Sequence, residues 1–261
     1  MAVLLLVTGL LGLLVGSFLN VVIHRVPRGE SLLRPGSHCP RCAAAIKAWH
    51  NVPVLGWLVL RGRCAACGAP ISARYPLVEL GTAALFVAVT ARIGLTLALP
   101  AYLYLAAITV ALALIDLDVL RLPNSIVLPS YVVGALLLAP GAIVHGDWRS
   151  AARGLLAMSV LWAFYFAIAL IYPGGMGYGD VKLAGLLGLY LGWLGWGSVA
   201  VGTFAAFLLG GLVGVVLLAT GRAGRKTAIP FGPAMLAGAM LALFAAAPIA
   251  DWYTSLLQPA V

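Results

Sequence analysis

Runs of about 20 apolar residues recur along this chain, and that one feature decides the solvent in which it folds. A helix needs about that length to cross the hydrocarbon of a bilayer. Eight segments read as spans: 2–23, 77–95, 97–115, 125–144, 152–172, 181–196, 198–219 and 230–250. Of 261 residues, 63% are apolar and 9% charged, and the mean hydropathy is +1.09. A soluble protein with so many apolar helices would lack the polar shell to cover them. The sequence therefore predicts an all-α polytopic membrane protein of about eight transmembrane helices.

No Lys or Arg precedes the first segment and no small-residue cleavage site follows it, so it reads as a retained span and not as a signal peptide. Glycine pairs four residues apart, Gly12/Gly16, Gly188/Gly192 and Gly210/Gly214, predict close helix packing. With the amino terminus outside, the loops at 24–76, 116–124, 173–182 and 220–229 fall inside. They carry 13 of the 16 Lys and Arg residues, leaving Arg92, Arg149 and Arg153 outside. The formal net charge of +9 thus reads as a topology device with attraction to anionic membrane lipids, and no nucleic acid is expected as a partner.

Three regions follow: a first transmembrane helix at 1–23, a cytoplasmic loop at 24–76, and a transmembrane core at 77–261. The loop holds all four cysteines, as Cys39-Pro40-Arg41-Cys42 and Cys64-Ala65-Ala66-Cys67. Two C-x-x-C pairs 21 residues apart have the spacing of paired knuckles that give one zinc ion four thiolates. Four thiolates fill the coordination sphere, so the ion expected is structural, and so short a loop needs it to fold. His38 and His50 are the other candidate ligands and read as ordinary loop residues. Redox pairing of the thiols is the alternative.

Among the seven acidic residues, Glu30, Asp147 and Asp251 are expected in solvent. Glu79, Asp116, Asp118 and Asp180 stand at or just inside the ends of apolar helices, where an ionisable group is costly and points to function. Residues two apart on a helix diverge by about 200°, so only one of Asp116 and Asp118 can face Asp180. Two carboxylates brought together in a low dielectric share one proton. One can then take a proton from attacking water while the other hydrogen-bonds the developing oxyanion of a peptide carbonyl. The glycines of Gly174-Gly175-Met176-Gly177-Tyr178-Gly179 predict an extended or tightly turned backbone beside a bound peptide. The bland alternative is that these aspartates cap helices or pair with Arg121 and Lys182. No G-x-S-x-G elbow, H-E-x-x-H helix or Walker loop offers other chemistry.

Five stretches resemble the type IV prepilin peptidases: Gly16-Ser17-Phe18-Leu19-Asn20-Val21-Val22-Ile23; the four-cysteine loop with Asn51-Val52-Pro53; Ile115-Asp116 followed by Leu122-Pro123-Asn124; Gly177-Tyr178-Gly179-Asp180-Val181-Lys182-Leu183; and Ile229-Pro230-Phe231-Gly232-Pro233. The resemblance implies a multi-pass protein of the bacterial inner membrane, an aspartic protease of the G-x-G-D type working at the cytoplasmic face. Its substrates would be type IV prepilins or type II secretion pseudopilins. It implies Asp116 and Asp180 as the catalytic pair, Asp116 being preferred over Asp118 because it stands eight residues before Asn124. It also implies methylation of the new amino terminus from S-adenosylmethionine, an activity associated with members that carry the cysteine loop. His50 stands where many relatives are acidic, and Asn124 where Asp is common. Rival readings are an ion-coupled transporter, a lipid-modifying enzyme that docks through its zinc loop, and an intramembrane protease with other substrates.

Overall fold

The computed structural model describes residues 1–172, 175–222, 224, 227 and 229–257, with side chains as far as residue 249. Among these the chain is helical, with no strands and only two isolated β-bridges. It divides into two compact units, Met1–Leu95 with Leu103–Ala111, and Thr96–Tyr102 with Leu112–Val261.

In the first unit the principal helices are α1 (Ala2–Arg25) and α3 (Arg74–Ile93), with a short α2 (Leu55–Val59) in the loop between them. Helix α1 is apolar on all sides, so polarity cannot tell its faces apart; residue size does. Thr8, Gly12, Gly16, Leu19 and Ile23 are buried along one stripe, while Val3, Leu6, Leu10, Leu14 and Phe18 stand exposed on the other. Small residues face inward because the backbones must meet: a Cβ at Gly12 would lie 2.6 Å from the Cα of Ala83, and one at Gly16 would lie 2.7 Å from the Cα of Glu79. One turn further on, Asn20 Nδ2 donates to the carbonyl of Tyr75 at 3.2 Å and ties α1 to the start of α3. The Gly-Ser-Phe-Leu-Asn motif is thus a helix-pairing device.

Helix α4 (Leu99–Val119) gives its middle to the first unit and its ends to the second. The second unit continues with α5 (Asn124–His145), α6 (Trp148–Ile171), α7 (Tyr178–Leu194), α8 (Trp196–Ala219) and α9 (Gly232–Leu257). Its centre is α7, where every residue from Asp180 to Gly192 except Lys182 is buried. Glycines allow this. A Cβ at Gly188 would meet the Ala157 carbonyl at 2.5 Å, and one at Gly192 the Arg153 carbonyl at 2.8 Å. Arg153 then closes the carboxyl end of α7: Nε donates to the Gly192 carbonyl at 2.6 Å and Nη2 to that of Trp193 at 2.8 Å. From α4, the Tyr102 hydroxyl donates to the Tyr190 carbonyl at 2.9 Å.

Among the described residues, seven helices are long and apolar enough to cross a membrane. The expected span at 181–196 is the one that falls short. Helix α7 begins three residues earlier and has 17 residues, about 25 Å against a hydrocarbon thickness of about 30 Å. Its neighbours shield it, so it need not match the bilayer. The expected packing of Gly210/Gly214 holds only in half: Gly210 lies against the Phe231 ring, while a Cβ at Gly214 would meet nothing nearer than Ile229 at 4.0 Å.

Candidate active site and metal centre

The turn before α7 builds the first half of the site. Gly177 is the N-cap, with extended backbone at φ −73° and ψ 144°, and the helix is under way at Tyr178. Asp180 is therefore the third helical residue, and its Oδ2 reaches back to accept the Gly177 N–H at 3.2 Å while its own N–H donates to the Gly177 carbonyl at 3.0 Å. That is the carboxylate half of a capping box, at the end of a helix whose dipole favours negative charge. Of the extended or tightly turned backbone expected through the glycine stretch, Gly177 shows the extended form, while Gly179 lies in the first helical turn. Its missing Cβ serves packing, since one there would stand 3.1 Å from Leu122 Cβ. Gly174 lies outside the described residues.

The second half comes from the last turn of α4. Asp116 is 5% exposed and its Oδ2 accepts the N–H of Gly232, the first residue of α9, at 3.2 Å. Asp118, two residues on, is exposed, as the divergence of such positions on a helix requires. Asp180 is 9% exposed, and the two buried carboxylates are close enough to repel one another. Leu122 wedges beside both, touching the positions of Gly179 and Gly232. Among the described residues no basic side chain pairs with either aspartate. Lys182 instead donates to Asn124 Oδ1 at 2.9 Å and sits 5.0 Å above the Tyr178 ring. So the capping alternative is met at Asp180, and among the described residues the ion-pair alternative is not met at Asp116 or Asp180.

One contributor escaped the sequence. Tyr165 of α6 is 2% exposed, stacks on Phe207 at a centroid distance of 5.5 Å, and lies within electrostatic reach of Asp180. A tyrosine in an otherwise apolar run was its only signal.

In the first unit the cysteines come together as expected. All four Sγ atoms lie within 4.8 Å of one another, with Cys39 to Cys67 at 3.9 Å and Cys42 to Cys64 at 4.0 Å. Tetrahedral zinc with bonds of about 2.3 Å needs sulfur separations of about 3.8 Å, so the donor set fits. Two copies of one turn produce it. Cys39 N–H donates to the Ala44 carbonyl and Ala43 N–H to that of Cys39; Cys64 N–H donates to Ala69 and Gly68 N–H to Cys64. Ala43 and Gly68 hold the same left-handed place, at φ 55° and 70°. Backbone N–H groups of Cys42 and Arg41 hold the Cys39 thiol down to about 6, and those of Cys67 and Ala66 lower Cys64 likewise. At Cys42 the Ala44 N–H pulls down, but the Cys67 sulfur, burial and the Cys39 and Cys64 sulfurs together push the thiol up to about 11. Crowded sulfurs of this kind are what a divalent cation relieves. His38 turns to the Gly36 carbonyl at 2.9 Å and is not in the cluster, nor is His50.

Glu79 belongs to the same unit as the cysteines, where its Oε2 accepts the N–H of Val54 at 2.7 Å.

Two family models match the chain: "Bacterial Peptidase A24 N-terminal domain" over residues 10–93 and "Type IV leader peptidase family" over residues 103–216. A prepilin leader peptidase/N-methyltransferase of Aeromonas hydrophila is 40% identical, across 94% of this chain and 91% of its own length. The protein of the same name from Myxococcus xanthus is 44% identical, over 83% of this chain and 64% of that longer protein. That from Pseudomonas aeruginosa is 37% identical over 90% and 88%. No solved structure matches.

Proposed function

Because this chain belongs to the type IV leader peptidase family, we propose that it cuts the leader from prepilins or pseudopilins with Asp116 and Asp180 and methylates the amino terminus so exposed. It is an enzyme of the bacterial inner membrane with several membrane spans, as its apolar helices and relatives require. The observation that supports the residue assignment is the burial of two carboxylates that no basic side chain among the described residues pairs with, each oriented by a backbone N–H.

Like charges so close cannot both persist, so one carboxyl keeps its proton. The ionised partner takes a proton from water as the oxygen attacks the scissile carbonyl, and the protonated one hydrogen-bonds the carbonyl oxygen as charge develops there. When the intermediate collapses, the proton taken from water passes to the departing amine. The Gly177 and Gly232 N–H groups hold the two carboxyls in place throughout. The positive charges at 24–76 and 116–124 favour an amino terminus outside and chemistry at the cytoplasmic face. Of the three regions, 77–261 would supply proteolysis and 24–76 a zinc-stabilised module, with Cys39, Cys42, Cys64 and Cys67 as ligands. S-adenosylmethionine would supply the methyl group.

Incubating the purified enzyme with a full-length prepilin, beside Asp180→Asn, tests the proposal. Product mass and amino-terminal sequence should show leader loss plus about 14 Da for a methyl group, and the variant should cut nothing. Cleavage by the variant would remove Asp180 from the dyad; no cleavage by well-folded wild type would point to another substrate class.

A further inference from the structure

Among the described residues the protease dyad leaves one buried acidic side chain, Glu79, without a task, and it faces a cavity. Within the first unit lies a space of about 1000 Å³, lined among others by Asn20, Arg25, Val54, Trp57, Tyr75 and Glu79. That volume is at the upper end for small-molecule sites. Glu79 is 7% exposed, and among the described residues no basic side chain pairs with it. Arg25, 9% exposed, is committed elsewhere, to the carbonyls of Ser31 at 2.9 Å and Pro35 at 2.7 Å.

The carboxylate is also aimed. Val54 sits at φ 61° and ψ −51°, the centre of a γ-turn of the strained hand closed by Leu55 N–H on the Pro53 carbonyl at 2.6 Å. A β-branched residue does not adopt that conformation unless its surroundings impose it. What the turn achieves is to point the Val54 N–H at Glu79 Oε2, at 2.7 Å. Nearby, Trp57 is fixed by its Nε1 donating to the Ile71 carbonyl at 3.1 Å, which leaves an anchored aromatic ring in the cavity wall.

A buried, oriented carboxyl group that no basic side chain among the described residues pairs with suits a cationic ligand. An aromatic wall suits a planar heterocycle. Resting on the reading that this chain methylates its product, we infer that the cavity is the S-adenosylmethionine site and that Glu79 faces the sulfonium cation. Cys39 and Cys64 line the same cavity, so the metal-stabilised fold of the loop forms part of its wall. This ties methyl transfer to the cysteine module by geometry.

Calorimetric titration of the full-length protein in detergent, with S-adenosylmethionine and with S-adenosylhomocysteine, reads the inference directly. The two ligands differ by the methyl group and hence by the positive charge on sulfur. Glu79→Gln should weaken the first by about tenfold or more and the second much less. Zinc content and unfolding midpoint report whether the variant is folded. Ultraviolet cross-linking of radiolabelled S-adenosylmethionine to wild type needs no variant, and should place the label within residues 17–79. Label confined to residues 112–249, or a folded Glu79→Gln that binds both ligands as wild type does, overturns the site while leaving methylation intact. If the substitution instead weakens a synthetic basic leader peptide and spares the nucleoside, the cavity is a leader site and the inference falls. Wild type that cuts prepilin yet neither binds the donor nor methylates would defeat the methyltransferase reading itself.

Discussion

Asp116 Oδ2 accepts the N–H of Gly232 at 3.2 Å, and a Cβ built at Gly232 would stand 2.6 Å from that same oxygen. Any side chain at 232 therefore pushes the carboxyl off its position. Gly232→Ala should lower kcat for prepilin cleavage by about a hundredfold, the cost of misplacing a reacting group by about 1 Å. Its unfolding midpoint should change little, because the displaced group is a side-chain terminus. Gly211→Ala, where nothing lies within 4 Å, is the control and should cut normally.

The exposed aspartate should be dispensable. Asp118→Asn is expected to retain cleavage within a factor of about three, whereas Asp116→Asn loses at least about a thousandfold. Single-turnover cleavage in the same lipid separates the two, and equal losses would mean that the carboxyl in the dyad is Asp118.

The four cysteines should hold one metal ion per chain. Metal analysis of purified wild type should find zinc, and Cys64→Ser should lose most of it. The loop at 24–76 should then become open to proteolysis. Full metal content in the variant would exclude this donor set.

Packing in the second unit predicts an unequal response to small side chains. At Gly188 an added Cβ would meet backbone, the Ala157 carbonyl at 2.5 Å, which cannot swing aside. Gly188→Ala should cost about 1–3 kcal/mol and lower the thermal midpoint in detergent, while Gly211→Ala should be close to neutral.

Asp147 predicts a pH dependence. It is the N-cap of α6, and hydrogen bonds from the Ser150 side chain and then its N–H, at 3.1 Å to Oδ1, hold the carboxyl below its ordinary value. A carboxyl depressed in the fold stabilises above its unfolded value, about 3.9, and that contribution is lost as pH falls through the folded value. The difference in thermal midpoint between wild type and Asp147→Ala should be full at neutral pH and vanish at the acid end. A difference constant across that range would refute the cap.

Helix positions were legible because a span is a matter of length and hydropathy, and seven of the eight meet that test. Helix α7 departed because protein and not lipid encloses it, and a window of apolar residues cannot tell the two apart. The thiolate set was readable from the spacing of Cys39, Cys42, Cys64 and Cys67. Helix geometry alone leaves Asp116 and Asp118 open, and only the resemblance, through the eight residues to Asn124, prefers Asp116; that Asp116 is the buried one depends on Gly232, more than a hundred residues away. Tyr165 and the Val54 turn were invisible for the same reason: their partners are brought to them only by the fold.

The enclosure of α7 also bears on where the Asp180 carboxyl stands. A helix in contact with lipid rises, tilts or sinks as the bilayer thickens or thins. With every residue from Asp180 to Gly192 except Lys182 buried, α7 is insulated from that adjustment. The height of Asp180 is then a property of the protein, and the enzyme carries its own ruler into whatever membrane it occupies.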